Sequence, residues 1–302
     1  MRDLLYILSP SFSGSTLLTF LLAAHPDIAT VGELKASAIG DVGTYRCSCG
    51  SLLIQCKFWR RIKEEMAHRG ANFRYENFYT HFSNGDEFVA FRRMINLGSK
   101  NDICAGASDV VLKTVPGYRE LLNKIVEQNR ALVEVISAIQ NGRIFLDASK
   151  DPERLNQLSR TGHWQIKVIR LLRDGRGIAY SYMKHTRAPM QQAAREFLKT
   201  DRACDRIVRR LNPSDLLTVK YEDICSHPEE TIEKILSRLD LNRDKSGLRR
   251  SPSELHILGN SMRLKAGSSV MLDEAWRTEL TWQDLATFDK IAGGWNASRG
   301  YG

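Results

Sequence analysis

The stretch Leu4-Leu5-Tyr6-Ile7-Leu8-Ser9-Pro10-Ser11-Phe12-Ser13-Gly14-Ser15-Thr16-Leu17-Leu18 decides the fold. Its first five residues form a continuous apolar run, the pattern of a strand buried on both faces of a parallel sheet. The segment that follows is rich in turn formers. Leu17, Leu18, Leu21 and Leu22 then recur at helical spacing until His25-Pro26 stops the helix. Residues 28–31 read as a second strand ending at Gly32-Glu33. Strand, loop, helix and strand open a βαβ unit.

Outward from there the alternation continues. Strand signals return at 143–148, 165–172 and 216–221. Helical segments at 152–160, 175–184 and 191–211 separate them, and two more near 229–239 and 281–292 close the chain. The region from about 35 to 141 is mostly helical, with its clearest stripe over 118–140 (Leu121, Leu122, Ile125, Val126, Leu132, Val133, Ile136, Ile139). The expected fold is α/β: three layers, a central and mainly parallel sheet, a P-loop-like first strand-loop-helix and a helical insertion in the middle. Without repeats or an evident linker, residues 1–302 read as one domain.

Composition agrees. Apolar residues make up 42% and charged residues 26% of the 302, with 8 prolines and 21 glycines, which excludes a disordered, collagen-like or low-complexity chain. The longest apolar run, Leu17 to Ala24, is far short of the roughly 18 residues of a membrane span. Ser9-Pro10-Ser11 interrupts the apolar opening, so no signal peptide is expected. Six cysteines, three of them far apart (Cys104, Cys204, Cys225), are too few for a disulfide framework, and a reducing cytoplasm is the expected location. The net charge of +9 is scattered along the chain. It suits an anionic ligand, a nucleic acid or an acidic surface, but a solvated basic surface is the simpler account.

Two strand ends carry the chemistry. After the first strand, Ser13-Gly14-Ser15-Thr16 opens a helix, so backbone N–H groups and the positive helix end face one spot, with the Ser13, Ser15 and Thr16 hydroxyls beside them. An ordinary helix cap would use the same residues. The nucleotide-triphosphatase pattern G-x-x-x-x-G-K-(S/T) fails here, because Ser15 follows Gly14 where a lysine is required and Ser9 takes the upstream glycine position. A kinase-like phosphotransferase remains the rival enzyme, to be told apart by a magnesium requirement. A non-catalytic nucleotide or polyanion-binding module is the rival outside catalysis. The second strand end, Arg170-Leu171-Leu172-Arg173-Asp174-Gly175-Arg176, precedes a helix that carries Ser181 about two turns in. Arg173 and Ser181 can hold one phosphate from two sides, unless Arg173 merely pairs with Asp174 at the surface.

These segments resemble the PAPS-dependent sulfotransferases, whose donor is 3′-phosphoadenosine 5′-phosphosulfate. Ser11-Phe12-Ser13-Gly14-Ser15-Thr16-Leu17-Leu18 is similar to the family's 5′-phosphosulfate loop, P-(K/R)-S-G-(T/S)-T-x-L. Arg173-Asp174-Gly175-Arg176 with Ser181 is similar to its 3′-phosphate motif, and Tyr221-Glu222-Asp223-Ile224 before His227-Pro228 to its Y-E-D-L…P segment. Gly259-Asn260-Ser261-Met262-Arg263 resembles a G-N-x-x-R loop of bacterial members. The matches fall in family order.

The resemblance implies a sulfotransferase with PAPS as co-substrate and an acceptor hydroxyl on a small molecule, glycan or peptide, with no nucleic-acid partner, no membrane span and no metal in the reaction. Ser11 to Thr16, Arg173, Ser181, Tyr221, Arg263 and Lys265 would face the donor. His25-Pro26-Asp27-Ile28…Gly32-Glu33 resembles the branch that includes protein-tyrosine sulfotransferases, which makes Glu33 the general base. Asp147-Ala148-Ser149-Lys150-Asp151-Pro152 is similar to that branch's N-K-D-P segment, which puts Lys150 on the sulfate and leaving oxygen. Should Glu33 not be the base, His25 and Asp147 stand next. One position departs: Phe12 stands where the family has lysine or arginine. Lys150 is the expected replacement, with Arg263 or Lys265 behind it.

Cys47-Ser48-Cys49-Gly50…Cys56-Lys57-Phe58-Trp59 holds three sulfurs within ten residues. Zinc would need a fourth ligand from elsewhere, such as His68 or Cys104. A local disulfide or packed thiols are the alternatives. Because bacterial sulfotransferases often carry a similar segment, the expectation is a structural cluster without metal.

Overall fold

A computed structural model describes residues 2–36, 39–82, 117–241, 254–265 and 270–302. The chain begins with strand β1 (Arg2–Leu8), helix α1 (Ser15–Ala23) and strand β2 (Ile28–Thr30), the βαβ opening expected from the apolar run and its Gly14 hinge. Helix α2 (Lys57–His68) and the long α3 (Tyr118–Gln140) follow; residues 83–116 of the expected insertion lie outside the described residues. Then come β3 (Ile144–Lys150), α4 (Pro152–Arg160), β4 (Trp164–Leu172), α5 (Gly175–Thr186), α6 (Met190–Val208) and β5 (Leu216–Lys220). Short helix α7 (Tyr221–Ser226) leads into α8 (Pro228–Arg238). At the C-terminus α9 (Trp276–Glu279) and α10 (Trp282–Phe288) run into a π turn (Asp289–Gly293) and α11 (Gly294–Ser298). The helix expected over 281–292 is present and continues through that π turn to Ser298.

The five strands form one sheet in the order β2-β3-β1-β4-β5, and every pairing is parallel. Alternation along β1 shows how the layers form. Leu5 and Ile7 point to one face, where Leu18 and Leu22 of α1 and Ile235 and Leu236 of α8 cover them. Leu4, Tyr6 and Leu8 point to the other, against Leu132, Val133 and Ile136 of α3, with Trp59 and Ile62 of α2 in the same cluster. Both faces are buried, which is why β1 reads as an unbroken apolar run over Leu4–Leu8 and not as an alternating one. A third cluster joins α5, α6 and the C-terminal helices around Phe197, Trp276 and Phe288.

Local signals explain the boundaries. Asp151 caps α4 by accepting from the Glu153 and Arg154 N–H groups, with Pro152 at the first helical turn. Asn141, at φ +53°, ends α3 in the left-handed conformation. Beneath the sheet ends lie two buried ion pairs, Arg154 with Asp147 (2.8 Å) and Arg170 with Asp201. Among the described residues no helix is long and apolar enough to cross a membrane.

Candidate active site

The carboxyl ends of the strands open on one cleft of about 1020 Å³. Open parallel sheets bind ligands at this edge. The loop from Ser9 to Gly14 leaves β1 and forms its floor. Gly14 sits at φ +86°, and a Cβ there would stand 2.3 Å from the Tyr221 ring, so only glycine fits. This tight packing turns the start of α1, Ser15 and Thr16, toward the cleft, where both line the wall. The Thr16 hydroxyl donates to Asn260 Oδ1 (3.3 Å). The Ser13 hydroxyl does not face an anion as expected. It is fully buried and donates to the Pro10 carbonyl (2.8 Å), holding the loop closed from within. Phe12, at φ +66°, lays its ring against Tyr182 and His185, while its carbonyl faces the next strand end.

That neighbour is Arg173, just past the end of β4, which pairs with β1. Its guanidinium is nearly buried and does not pair with Asp174. It donates to the Phe12 carbonyl (2.8 Å), to the Asp273 carbonyl (3.0 Å) and to the Asp273 carboxylate (3.2 Å), and lies 4.4 Å above the Tyr221 ring. Ser181 of α5 lines the same cleft. Asp174 is instead the cap of α5 and the partner of Arg176, whose guanidinium also donates to the Gly302 carbonyl. Tyr221 lines the cleft, but its hydroxyl is spent: it accepts from the Asp273 N–H (3.2 Å), and burial pushes its pKa up to about 12. Glu222, from the same segment, accepts from the Asp174 N–H and the Tyr301 hydroxyl, a support to the helix start.

On the other side of β1, β3 carries one extra residue relative to its partner: Tyr6 faces Asp147, but Leu8 faces Lys150. Such a bulge re-aims the side chain that follows it. Lys150, at φ +64°, turns into the cleft and donates to Glu33 Oε1 across the ends of β2 and β3. Its alternative partner Asp151 is taken by Lys35 at 2.6 Å. Glu33 is held in place by Gly32, which bridges Leu258, and by the close approach of Gly259.

Three other expected residues behave differently. Asp147 is fully buried, pairs with Arg154 and accepts from both the backbone N–H and hydroxyl of Ser149, so it is no reserve base. His25 does not line the cleft; its Nδ1 accepts from the Asp27 N–H. Arg263 reaches the cleft wall, yet its guanidinium donates to the Arg46, Gly259 and Asn260 carbonyls and stacks 3.9 Å over Tyr45. It braces a loop and is a poor substitute for the cation missing at Phe12. Lys265 ends the short turn Ser261–Lys265, and its side chain lies outside the described residues.

Three of the cysteines converge too, and none of the three lines the cleft. Cys47, Cys49, Cys56, Cys204 and Cys225 are free. The first three meet His256 and not His68, which stands exposed at the end of α2; Cys104 lies outside the described residues. Sequence reasoning also missed Lys35, Tyr45 and Asp273. Lys35 was legible as a neighbour of Glu33, whereas nothing near Asp273 marks it as the partner of a residue 100 positions away.

A family model described as the sulfotransferase family matches residues 5–245. The chain belongs to the sulfotransferase family. Solved structures agree in fold. The sulfotransferase domain from the curacin biosynthetic pathway is 17% identical with a TM-score of 0.54, covering 100% of this chain and 99% of that one. The sulfotransferase domain of the Synechococcus PCC 7002 olefin synthase is 18% identical with a TM-score of 0.53, over 97% and 94% of the two chains. A sulfotransferase from Mycobacterium avium is 12% identical at 0.51, over 98% and 76%. No curated protein sequence matches. For this sulfotransferase the cleft is the natural place to seek the chemistry.

Proposed function

We propose that this chain moves a sulfuryl group from 3′-phosphoadenosine 5′-phosphosulfate to an acceptor hydroxyl on a small molecule, glycan or peptide. One observation carries the reading: the β1 loop, Arg173 with Ser181, Lys150 and Glu33 come from four neighbouring strand ends and line one cleft. The loop and the first turn of α1 offer N–H donors to the 5′-phosphosulfate. Arg173 and Ser181 offer charge-assisted hydrogen bonds to the 3′-phosphate.

Glu33 takes the acceptor proton as the hydroxyl oxygen attacks sulfur in line with the bond to the 5′-phosphate. As that sulfur–oxygen bond breaks, Lys150 Nζ meets the charge gathering on the phosphate oxygen, in place of the loop cation absent at Phe12. The Glu33–Lys150 ion pair implies an order. Lys150 leaves Glu33 for the donor's anionic oxygens, and this frees the carboxylate to act as base. The transfer step needs no metal, because Lys150 and the loop N–H groups supply the positive counterpart. Residues 1–302 would act as one cytoplasmic domain.

The test combines binding and turnover. Calorimetry should show 3′-phosphoadenosine 5′-phosphate binding far more tightly than AMP or ATP, and a panel of hydroxyl acceptors with radiolabelled PAPS should yield a labelled product. Equal affinity for AMP would refute the donor assignment. Tight donor binding without turnover of any acceptor would favour a binding module.

A further inference from the structure

The cluster of Cys47, Cys49, Cys56 and His256 is outside the cleft and unused by the transfer chemistry. Its four ligand atoms lie within 4.8 Å of one another, although His256 is 200 residues from Cys56 in the chain. The separations are Cys49 Sγ to Cys56 Sγ 3.7 Å, Cys56 Sγ to His256 Nδ1 3.4 Å and Cys47 Sγ to His256 Nδ1 3.6 Å. Zinc bonded at about 2.3 Å to sulfur and about 2.0 Å to imidazole nitrogen sets tetrahedral edges of roughly 3.8 Å between sulfurs and roughly 3.5 Å from sulfur to nitrogen. These three edges match such a tetrahedron, and the other three lie within 4.8 Å.

The surroundings are built to hold it. Arg46 and Leu52 pair across a tight hairpin whose tip is Gly50 at φ +89°, with the Cys47 N–H donating to the Ser51 carbonyl and the Gly50 N–H to the Cys47 carbonyl. This turn presents Cys47 and Cys49 on one side. Cys56 is the cap residue of α2, so its sulfur sits at the positive end of a twelve-residue helix. The backbone N–H of Cys49 points to the Cys47 sulfur and that of Trp59 to the Cys56 sulfur. These donors orient the two sulfurs.

His256 is fixed just as firmly. The Ser48 hydroxyl accepts from the Ile257 N–H (2.7 Å) and donates to the Leu255 carbonyl (2.6 Å), bracketing the histidine on both sides. The imidazole stacks on Phe58 at 4.3 Å, its plane 6° from parallel, which leaves Nδ1 facing the sulfurs. A disulfide would join two of these sulfurs and leave the third sulfur and the imidazole without a purpose. Packed thiols would not need the imidazole at all.

We propose that Cys47, Cys49, Cys56 and His256 bind one zinc ion in a closed, structural Cys₃His site. All four positions are filled by protein, which leaves none for substrate. The ion would staple the 47–56 hairpin to the segment that continues into Gly259 and Asn260. Those residues touch Glu33 and Thr16 in the cleft, so the metal would position the cleft wall without joining the reaction. This replaces the metal-free reading of the cysteines.

Elemental analysis of the full chain, purified under reducing conditions without chelator, should find about one zinc per chain. Cobalt exchanged into the same protein should give the intense thiolate-to-metal absorption and tetrahedral visible bands of a sulfur-rich site. His256→Ala and Cys49→Ser should lower metal content, and removing zinc from the wild type should lower its melting temperature by several degrees. If either variant fails to fold, the wild-type zinc and cobalt readings decide alone. Substoichiometric zinc together with no thiolate–cobalt absorption overturns the site, as does full zinc retention in both folded variants.

Discussion

Lys150 and Glu33 form an ion pair across the ends of adjacent strands β3 and β2, each side chain mostly shielded from solvent. Under the proposed mechanism this pair holds the base in reserve. Glu33→Gln should therefore lower turnover by roughly 10²–10⁴, the usual cost of losing a positioned acid or base. Donor affinity should stay level or tighten a few-fold, because Lys150 loses its competing partner. Initial rates together with calorimetry on 3′-phosphoadenosine 5′-phosphate check both. Near-normal turnover would place the base elsewhere, and lost donor binding would show that Glu33 shapes the loop instead.

Arg173→Ala should weaken binding of 3′-phosphoadenosine 5′-phosphate by about 10- to 150-fold, the value of a charge-assisted pair of roughly 1.5–3 kcal/mol. AMP, which lacks the 3′-phosphate, should bind equally to both proteins. A parallel loss for AMP would mean that Arg173 acts on the loop through the Phe12 carbonyl.

Asp273 holds its carboxylate on Arg173 while remaining half exposed. An incoming phosphate must displace it. Asp273→Asn should tighten binding of 3′-phosphoadenosine 5′-phosphate by about two- to fivefold, in line with the small value of a solvent-screened pair. Weaker binding in this variant would show that Asp273 helps hold the nucleotide.

Gly14→Ala should destabilise the protein by about 2–4 kcal/mol, from the left-handed backbone and the collision with Tyr221 together. Adding Tyr221→Leu should recover the packing part and leave the backbone part. Urea midpoints for the single and double variants separate the two; an unchanged midpoint in Gly14→Ala would contradict the packing described.

Burial, with the charge of Lys35 next and that of Arg154 smaller, lowers His81 to about 4, against an opposing pull from Asp151. The unfolded chain takes up this proton as pH falls below about 6.5, whereas the folded chain resists it until about 4. Stability is thus complete above that window and is lost as pH falls through it. Between pH 7 and 5 the wild type should lose about 1 kcal/mol more than His81→Gln, a figure reduced for the water that reaches the half-buried ring. Urea titrations at the two pH values test this, and parallel losses would refute it.

Much of the architecture was legible because its causes are local. The bounds of α4 follow from Asp151-Pro152, and those of α3 from its apolar stripe and Asn141. Helix α2 was not picked out of the insertion. What stayed hidden depends on distant partners. Ser13 looked like a ligand-facing hydroxyl until the Pro10 carbonyl claimed it, and Arg263 looked like a spare cation until three backbone carbonyls did. His256 carries no mark of its purpose, since only the fold brings it to the three cysteines.

The strand order also acts as a ruler. Glu33 follows β2 and Arg173 follows β4, with β3 and β1 between them. Three steps of about 4.8 Å put roughly 14 Å between the strand ends that carry them. A ligand with one anionic group can satisfy Arg173 or the β1 loop but has nothing left to reach the carboxylate. The sheet's width would thereby select for length, favouring a long two-ended nucleotide with an acceptor set against its far end.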